Sequence, residues 1–168
     1  TLKLSMRSLL ALGARLGADV PFCLSGGLAH VGGLGEKITA LPGAPSIPLA
    51  MVTPGGGLST PAVFREFDDG GDPFGALDAS ALAAALCAGD LDRAQSLSLN
   101  SLEPAAIRLM PEIGEAMRRF RELGARFVRM TGSGSTVFAA FETPEQAAHA
   151  AAQLEGAIAT CSLGEGQS

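Results

Sequence analysis

Positive charge, cysteine and long apolar runs are all scarce in this sequence of 168 residues, and each scarcity excludes a class of function. Lysine and arginine number 12 against 17 acidic residues, for a net charge of -5, and apart from Arg118, Arg119 and Arg121 the basic residues are scattered. Neutralising a phosphate backbone takes a basic stripe, so nucleic acid is not expected as a partner. The 3 cysteines, at positions 23, 87 and 161, are too far apart to pair as zinc ligands and odd in number for a closed disulfide framework. That usage fits a reducing cytosol and a cytoplasmic protein. No run of about 18 or more apolar residues is present, so no membrane span is expected and the chain reads as soluble. Internal repeats and low-complexity segments are also missing.

What is present suits a folded α+β protein. Hydrophobic residues make up 47% and charged residues 17%, enough to bury a core in one ordinary domain, or in one domain plus a piece of a neighbour. The chain opens on Thr rather than Met, close to a helical pattern, which points to a fragment without its natural N-terminus.

Met6, Leu9, Leu10, Leu12, Gly13 and Leu16 keep helical spacing, with Ser5 as cap and Gly17 as stop. Residues 28–41 read as a hairpin around Gly32, Gly33 and Gly35. Three prolines within 41–48 mark a crossing between units, so the domains are expected at 1–46 and 47–168. Beyond it, "PLAMVTPGGG" reads as a buried strand entering a loop. Thr60-Pro61 then caps and starts a helix over 62–67, and "DDGGDPFG" reads as loop. Helices are expected at 80–88, 91–99 and 104–123, the last kinked or split at Pro111 and stopped by Gly124. Strands at 126–130 and 136–141 flank a glycine loop. Thr143-Pro144-Glu145-Gln146 is a capping box opening a helix to about Leu154, and 157–162 makes a last strand. Strands alternating with helices packed on one face suggest a two-layer ferredoxin-like domain.

Chemistry has few places to sit. Asp19, before Pro21, stands where a helix cap would, and its carboxylate would satisfy backbone N–H groups there. The same placement suits a base that accepts a proton from a substrate hydroxyl, and the residues alone leave both readings open. In "MTGSGSTVFAAF" (130–141), Gly132 and Gly134 let backbone N–H groups converge on an anion while Ser133 and Ser135 add hydroxyls. A plain hairpin connection looks much the same. "TPGGGLST" (53–60) leads glycines into a helix N-terminus, a competent anion site, but no Gly-Lys-Ser/Thr ends it as in a Walker A loop. His30 and His149 stand alone. Arg118, Arg119, Arg121 and Glu122 read as a solvated helix face.

Taken in order, "LGADVPFCLSGGLAHVGGLGEKITAL" (16–41), "TPGGGLSTPAVF" (53–64), "NSLEPAA" (100–106) and "MTGSGSTVFAAF" (130–141) resemble the C-terminal part of the 4-diphosphocytidyl-2-C-methyl-D-erythritol kinase family. That family lies within the galactokinase, homoserine kinase, mevalonate kinase and phosphomevalonate kinase superfamily. The first segment is the most specific, through Gly-Ala-Asp-Val-Pro and the later Gly-x-Gly-Glu turn; the glycine loop is shared more widely. The resemblance implies the end of an S5-like ATP-binding domain followed by a ferredoxin-like C-terminal domain. It implies ATP-dependent phosphorylation of the substrate's 2-hydroxyl in the non-mevalonate isoprenoid pathway, with Mg2+ accompanying the nucleotide. Asp19 would then match the catalytic base, Thr60 a residue lining the substrate site, and Gly132, Ser133 and Gly134 the loop near the transferring phosphate. The family's glycine-rich ATP loop and its lysine, partner of the aspartate, would precede Thr1, so the 168 residues alone are expected to transfer little phosphate. Another superfamily kinase, or a non-catalytic ferredoxin-like binding module in which Asp19 only caps, are the alternatives.

Overall fold

The computed structural model describes residues 4–33, 35, 37–41, 43 and 45–163. They divide into two compact units, Ile47–Ser162 and the described residues outside it.

In the first unit, α1 (Met6–Leu16) is opened by Ser5, whose hydroxyl accepts from the Ser8 N–H, and ends at Gly17, as its spacing predicts. The short α2 (Val20–Ser25) follows and lays Val20 and Leu24 over the buried Gly13 of α1. Antiparallel β1 (Ala29–Gly32) and β2 (Lys37–Ala40) form the expected hairpin, with Ala29 opposite Ala40 and Gly32 opposite Lys37. Leu34 and Glu36 of its Gly-x-Gly-Glu turn, and Pro42, lie outside the described residues.

The second unit is built on a 4-stranded antiparallel sheet in the order β4-β5-β3-β6. Its strands are β3 (Pro48–Val52), β4 (Phe127–Met130), β5 (Val137–Ala140) and β6 (Ile158–Cys161). Between β3 and β4 run α3 (Thr60–Gly70), α4 (Ala79–Cys87), α5 (Leu91–Leu97), α6 (Glu103–Leu109) and α7 (Pro111–Glu122), and α8 (Pro144–Ala152) joins β5 to β6.

Side chains along a strand alternate between faces, and here both faces find cover. Ala50, Val52, Val128, Met130, Val137 and Ala139 point into the main core with Val63 and Phe67 of α3, Ala105 and Ala106 of α6, Ile113, Met117 and Phe120 of α7, and Ala147 and Ala150 of α8. Phe120 is fully buried, and burying such a ring contributes about 2–3 kcal/mol. On the opposite face Phe127, Ala140, Leu49 and Phe138 meet Ala85 of α4 and Leu91 and Ala94 of α5. The expectation of helices on a single face therefore needs amending: α4 and α5 add a layer, because Leu49 of β3, Phe127 of β4 and Phe138 and Ala140 of β5 make that face apolar too.

Local signals account for most boundaries. Thr143 and Gln146 complete the capping box of α8. The segment 104–123 is two helices, because the residue before a proline avoids helical backbone and Met110 sits at φ -144, ψ 87. Most boundaries shift by one or two residues from expectation, and α3 departs furthest. Helix α3 runs on to Gly70, so Asp68 and Asp69 of "DDGGDPFG" are helical. Helix α5 stops at Leu97, where Ser98 turns extended. Arg108 on α6 ties this region together, with Nε 2.6 Å from Glu66 of α3 and a second nitrogen 2.6 Å from Asp72 in the loop after it. The hydrogen bond from Arg108 holds the Asp72 carboxyl below the usual carboxylate range.

Candidate functional site

Asp19 stands at the N-cap position of α2, yet its side chain makes no capping hydrogen bond. The cause lies in the backbone. An effective cap residue is extended, whereas Asp19 has helical angles, φ -86 and ψ -15, because a turn closed by Val20 N–H on Gly17 O precedes the helix. The capping expectation thus fails, and the carboxylate is solvent-exposed within its unit.

In the second unit, three of the segments singled out in the sequence meet: 53–60, 100–106 and 130–136. Thr60 is not the cap of α3. Ser59 holds that position without a side-chain bond, and the Thr60 hydroxyl, in the first turn, pairs instead with the Ser133 hydroxyl at 2.8 Å. Thr53 and Thr136 share a second hydroxyl contact of 2.8 Å. Ser135, 1% exposed, donates its hydroxyl to Pro54 O at 2.6 Å. These links fasten the glycine loop to the turn that feeds α3.

Residues 131–136 connect β4 to β5 as a hairpin, closed by Thr131 N–H on Thr136 O, with Gly134 N–H folded inward onto Thr131 O. Gly132 and Ser133 direct their N–H groups to no acceptor among the described residues. Gly132 is exposed and Ser133 half-buried, so both amides and the Thr60–Ser133 hydroxyl pair offer donors to an anion. The hairpin reading and the anion-loop reading therefore describe the same atoms.

The α5–α6 connection braces this loop from the side. Strand β4 is at the edge of the sheet, and the outward backbone groups of Val128 and Met130 are all satisfied by side chains. Val128 N–H donates to Gln95 Oε1 at 2.7 Å and Met130 N–H to Glu103 Oε2 at 3.0 Å. Val128 O accepts from Arg129 at 3.1 Å, and Met130 O accepts from Asn100 Nδ2 at 3.0 Å. Arg129 also donates to Gln95 O and Ser98 O at the end of α5, a helix terminus that favours a cation. Burial lowers its pKa from the ordinary arginine value. Asn100 reaches further still, with Nδ2 2.8 Å from Gly132 O.

Other candidates stay apart. His30 lies exposed on β1 and His149 exposed on α8. Arg118 pairs with Glu115 and Glu122 along α7, the solvated face its spacing predicts. Gln95, Asn100, Glu103 and Arg129 are contributors that received no role from the sequence, and Ser135, expected to offer its hydroxyl to an anion, instead buries it against Pro54 O. "NSLEPAA" does carry a signal, an Asn three residues ahead of a helix start, but that signal announces a local turn and gives no hint of acceptors about thirty residues away at the end of β4 and in the loop after it.

Residues 82–159 match the family model described as GHMP kinases C terminal. The chain is 43% identical over 141 residues to the 4-diphosphocytidyl-2-C-methyl-D-erythritol kinase of Granulibacter bethesdensis, covering 83% of this chain and 45% of that protein. It is 43% identical over 143 residues to the enzyme of the same name from Desulfitobacterium hafniense, covering 83% and 48%. A crystal structure of 4-(cytidine 5'-diphospho)-2C-methyl-D-erythritol kinase superposes with a TM-score of 0.77 at 39% identity, over 93% of this chain and 57% of that one. The chain spans about half the length of the curated relatives it matches. Residues 82–159 are thus similar to a GHMP kinase C-terminal domain, in a chain that is similar over most of its length to the C-terminal part of kinases named 4-diphosphocytidyl-2-C-methyl-D-erythritol kinase.

Proposed function

We propose that the whole protein is an ATP-dependent kinase that phosphorylates the 2-hydroxyl of 4-diphosphocytidyl-2-C-methyl-D-erythritol, in the cytoplasm, as a step of non-mevalonate isoprenoid synthesis. The observation that carries the reading is the meeting of Thr60 with Ser133 at 2.8 Å beside the open amides of Gly132 and Ser133, two segments that similarity to this kinase family had marked separately. Residues 1–46 are then the end of an S5-like ATP-binding domain. The strand order β4-β5-β3-β6 supports a ferredoxin-like C-terminal domain from residue 47 onward.

In this reaction Asp19 takes the proton of the 2-hydroxyl as that oxygen bonds to the γ-phosphorus, and the bond from phosphorus to the β,γ-bridging oxygen breaks to leave ADP. Its carboxylate suits the task because no capping bond occupies it. The amides of Gly132 and Ser133 are fixed dipoles for the phosphoryl oxygens, placed before the reaction begins, and Thr60 lines the substrate. Among the described residues no group of three or more His, Cys, Asp or Glu side chains is placed to hold a metal ion, so no step is assigned to magnesium.

The test is phosphotransfer by the whole protein with ATP, Mg2+ and the diphosphocytidyl substrate, beside homoserine and mevalonate. Asp19→Asn should lower kcat about 10²–10⁴-fold, as expected for loss of a general base, with stability changed by less than about 1 kcal/mol because no cap is lost. Full turnover by the variant removes the base from the mechanism. Turnover of homoserine or mevalonate instead of the diphosphocytidyl substrate removes the substrate assignment.

A further inference from the structure

We infer that Asn100 is a positioning residue for the glycine loop, holding the carbonyls of Met130 and Gly132 so that the amide of Ser133 faces outward. The inference rests on the kinase reading for its catalytic readout and on geometry alone for its structural one. The carboxamide of Asn100 meets three fixed backbone groups: Met130 O at 3.0 Å, Gly132 O at 2.8 Å and Leu102 N–H at 3.0 Å. Only one orientation satisfies them. Leu102 N–H requires the oxygen, which sends both N–H bonds of the amide toward the two loop carbonyls. The side chain is half-buried, at the junction where α6 begins and β4 ends.

A peptide plane has two ends. Holding Gly132 O inward fixes the plane that joins Gly132 to Ser133, and so the direction of the Ser133 N–H on its other side. Gly132 has a positive φ of 56 and a Cβ placed there would meet nothing within 4 Å, so packing does not restrain this plane. The grip of Asn100 on one end, with the Ser133–Thr60 hydroxyl contact on the other, supplies that restraint. A preorganised donor set needs such fixing, because a displacement of about 1 Å in a reacting group costs on the order of a hundredfold in rate.

Asn100→Asp separates this role from simple helix capping. The aspartate has the same shape and still accepts from Leu102 N–H, but it turns an acceptor toward two carbonyl oxygens it can no longer bond. A purely structural role as the α6 turn predicts a variant close to wild type. The positioning role predicts, in the whole protein, kcat lowered roughly 10- to 100-fold with KM for the alcohol substrate unchanged. It also predicts, in ligand-free protein, faster hydrogen exchange at Thr131 and Gly134, whose N–H groups are bonded to Thr136 O and Thr131 O within the loop, while the α6 amides stay protected. Asn100→Ser, whose hydroxyl accepts from Leu102 N–H but is too short to bridge two carbonyls, carries the same expectations should the aspartate variant not fold. Wild-type kcat together with unchanged loop exchange in a folded variant overturns the inference, and so does failure of both variants to fold. If the wild-type protein phosphorylates none of the alcohols offered, the kinase reading falls while the exchange measurement still decides the role of Asn100.

Discussion

Alanine substitution at the two glycines of the 131–136 loop should have unequal effects, and the difference can be worked from their surroundings. Both residues have positive φ, 56 at Gly132 and 93 at Gly134, which costs an alanine roughly 1–2 kcal/mol. At Gly132 nothing lies within 4 Å of an added Cβ, so that backbone cost is the whole effect. At Gly134 the Cβ would fall 2.8 Å from Met130 Sδ, with Leu58 Cδ1 at 3.5 Å and Ile113 Cδ1 at 3.6 Å behind it. Met130 is 2% exposed and has no room to swing into solvent. Overpacking a site of this kind adds about 1–3 kcal/mol. Gly134→Ala should therefore lose about 2–5 kcal/mol and Gly132→Ala about 1–2 kcal/mol. Thermal and urea melts followed by circular dichroism measure both, each kcal/mol moving Tm by about 2–4 °C in a chain of this size. Equal losses, or a larger loss at Gly132, would refute the reasoning.

Thr143→Ala removes one half of the α8 capping box and should destabilise by about 0.5–2 kcal/mol in the same urea melts, while Glu145→Ala, which leaves both box residues in place, should cost less. Acid sensitivity should be visible as well. Asp72 is held below the usual carboxylate range by its hydrogen bond from Arg108, and Asp92 by its hydrogen bond from Arg126. A depressed folded-state pKa gives stability that is present above the unfolded value and lost as pH falls through the folded one, so the loss sets in below about pH 4. Arg108→Met should lower the urea midpoint at neutral pH and flatten its decline below about pH 4. An acid limb as steep as that of the wild type would contradict the pairing.

Where structure follows local chemistry, the sequence announces it. The Ser5 cap, the Pro111 break and the capping box at Thr143 each rest on residues within four positions of one another, and each stands as expected. Where the outcome depends on a partner far along the chain, local reading falls short. Thr60 and Pro61 look like a cap and first turn, but Ser59 takes the cap because the Thr60 hydroxyl finds Ser133, 73 residues away. Asp19 likewise has the composition of a cap, and a turn begun at Gly17 gives it the wrong backbone angles. The second helical layer was hidden for a related reason: apolar residues on both faces of β3 and β5 make continuous runs, which by themselves do not tell how many layers will cover them.

The filled margin of β4 leaves the sheet with a direction of growth. Its outer donors and acceptors are already spoken for by Gln95, Asn100, Glu103 and Arg129, so an incoming strand from a neighbouring molecule finds nothing to bind on that side. Among the described residues, the edge left for extension is that of β6, whose four residues are all exposed and carry no charge. Self-association through this sheet would then add strands at the end remote from the glycine loop, leaving the 131–136 hairpin outside the new seam.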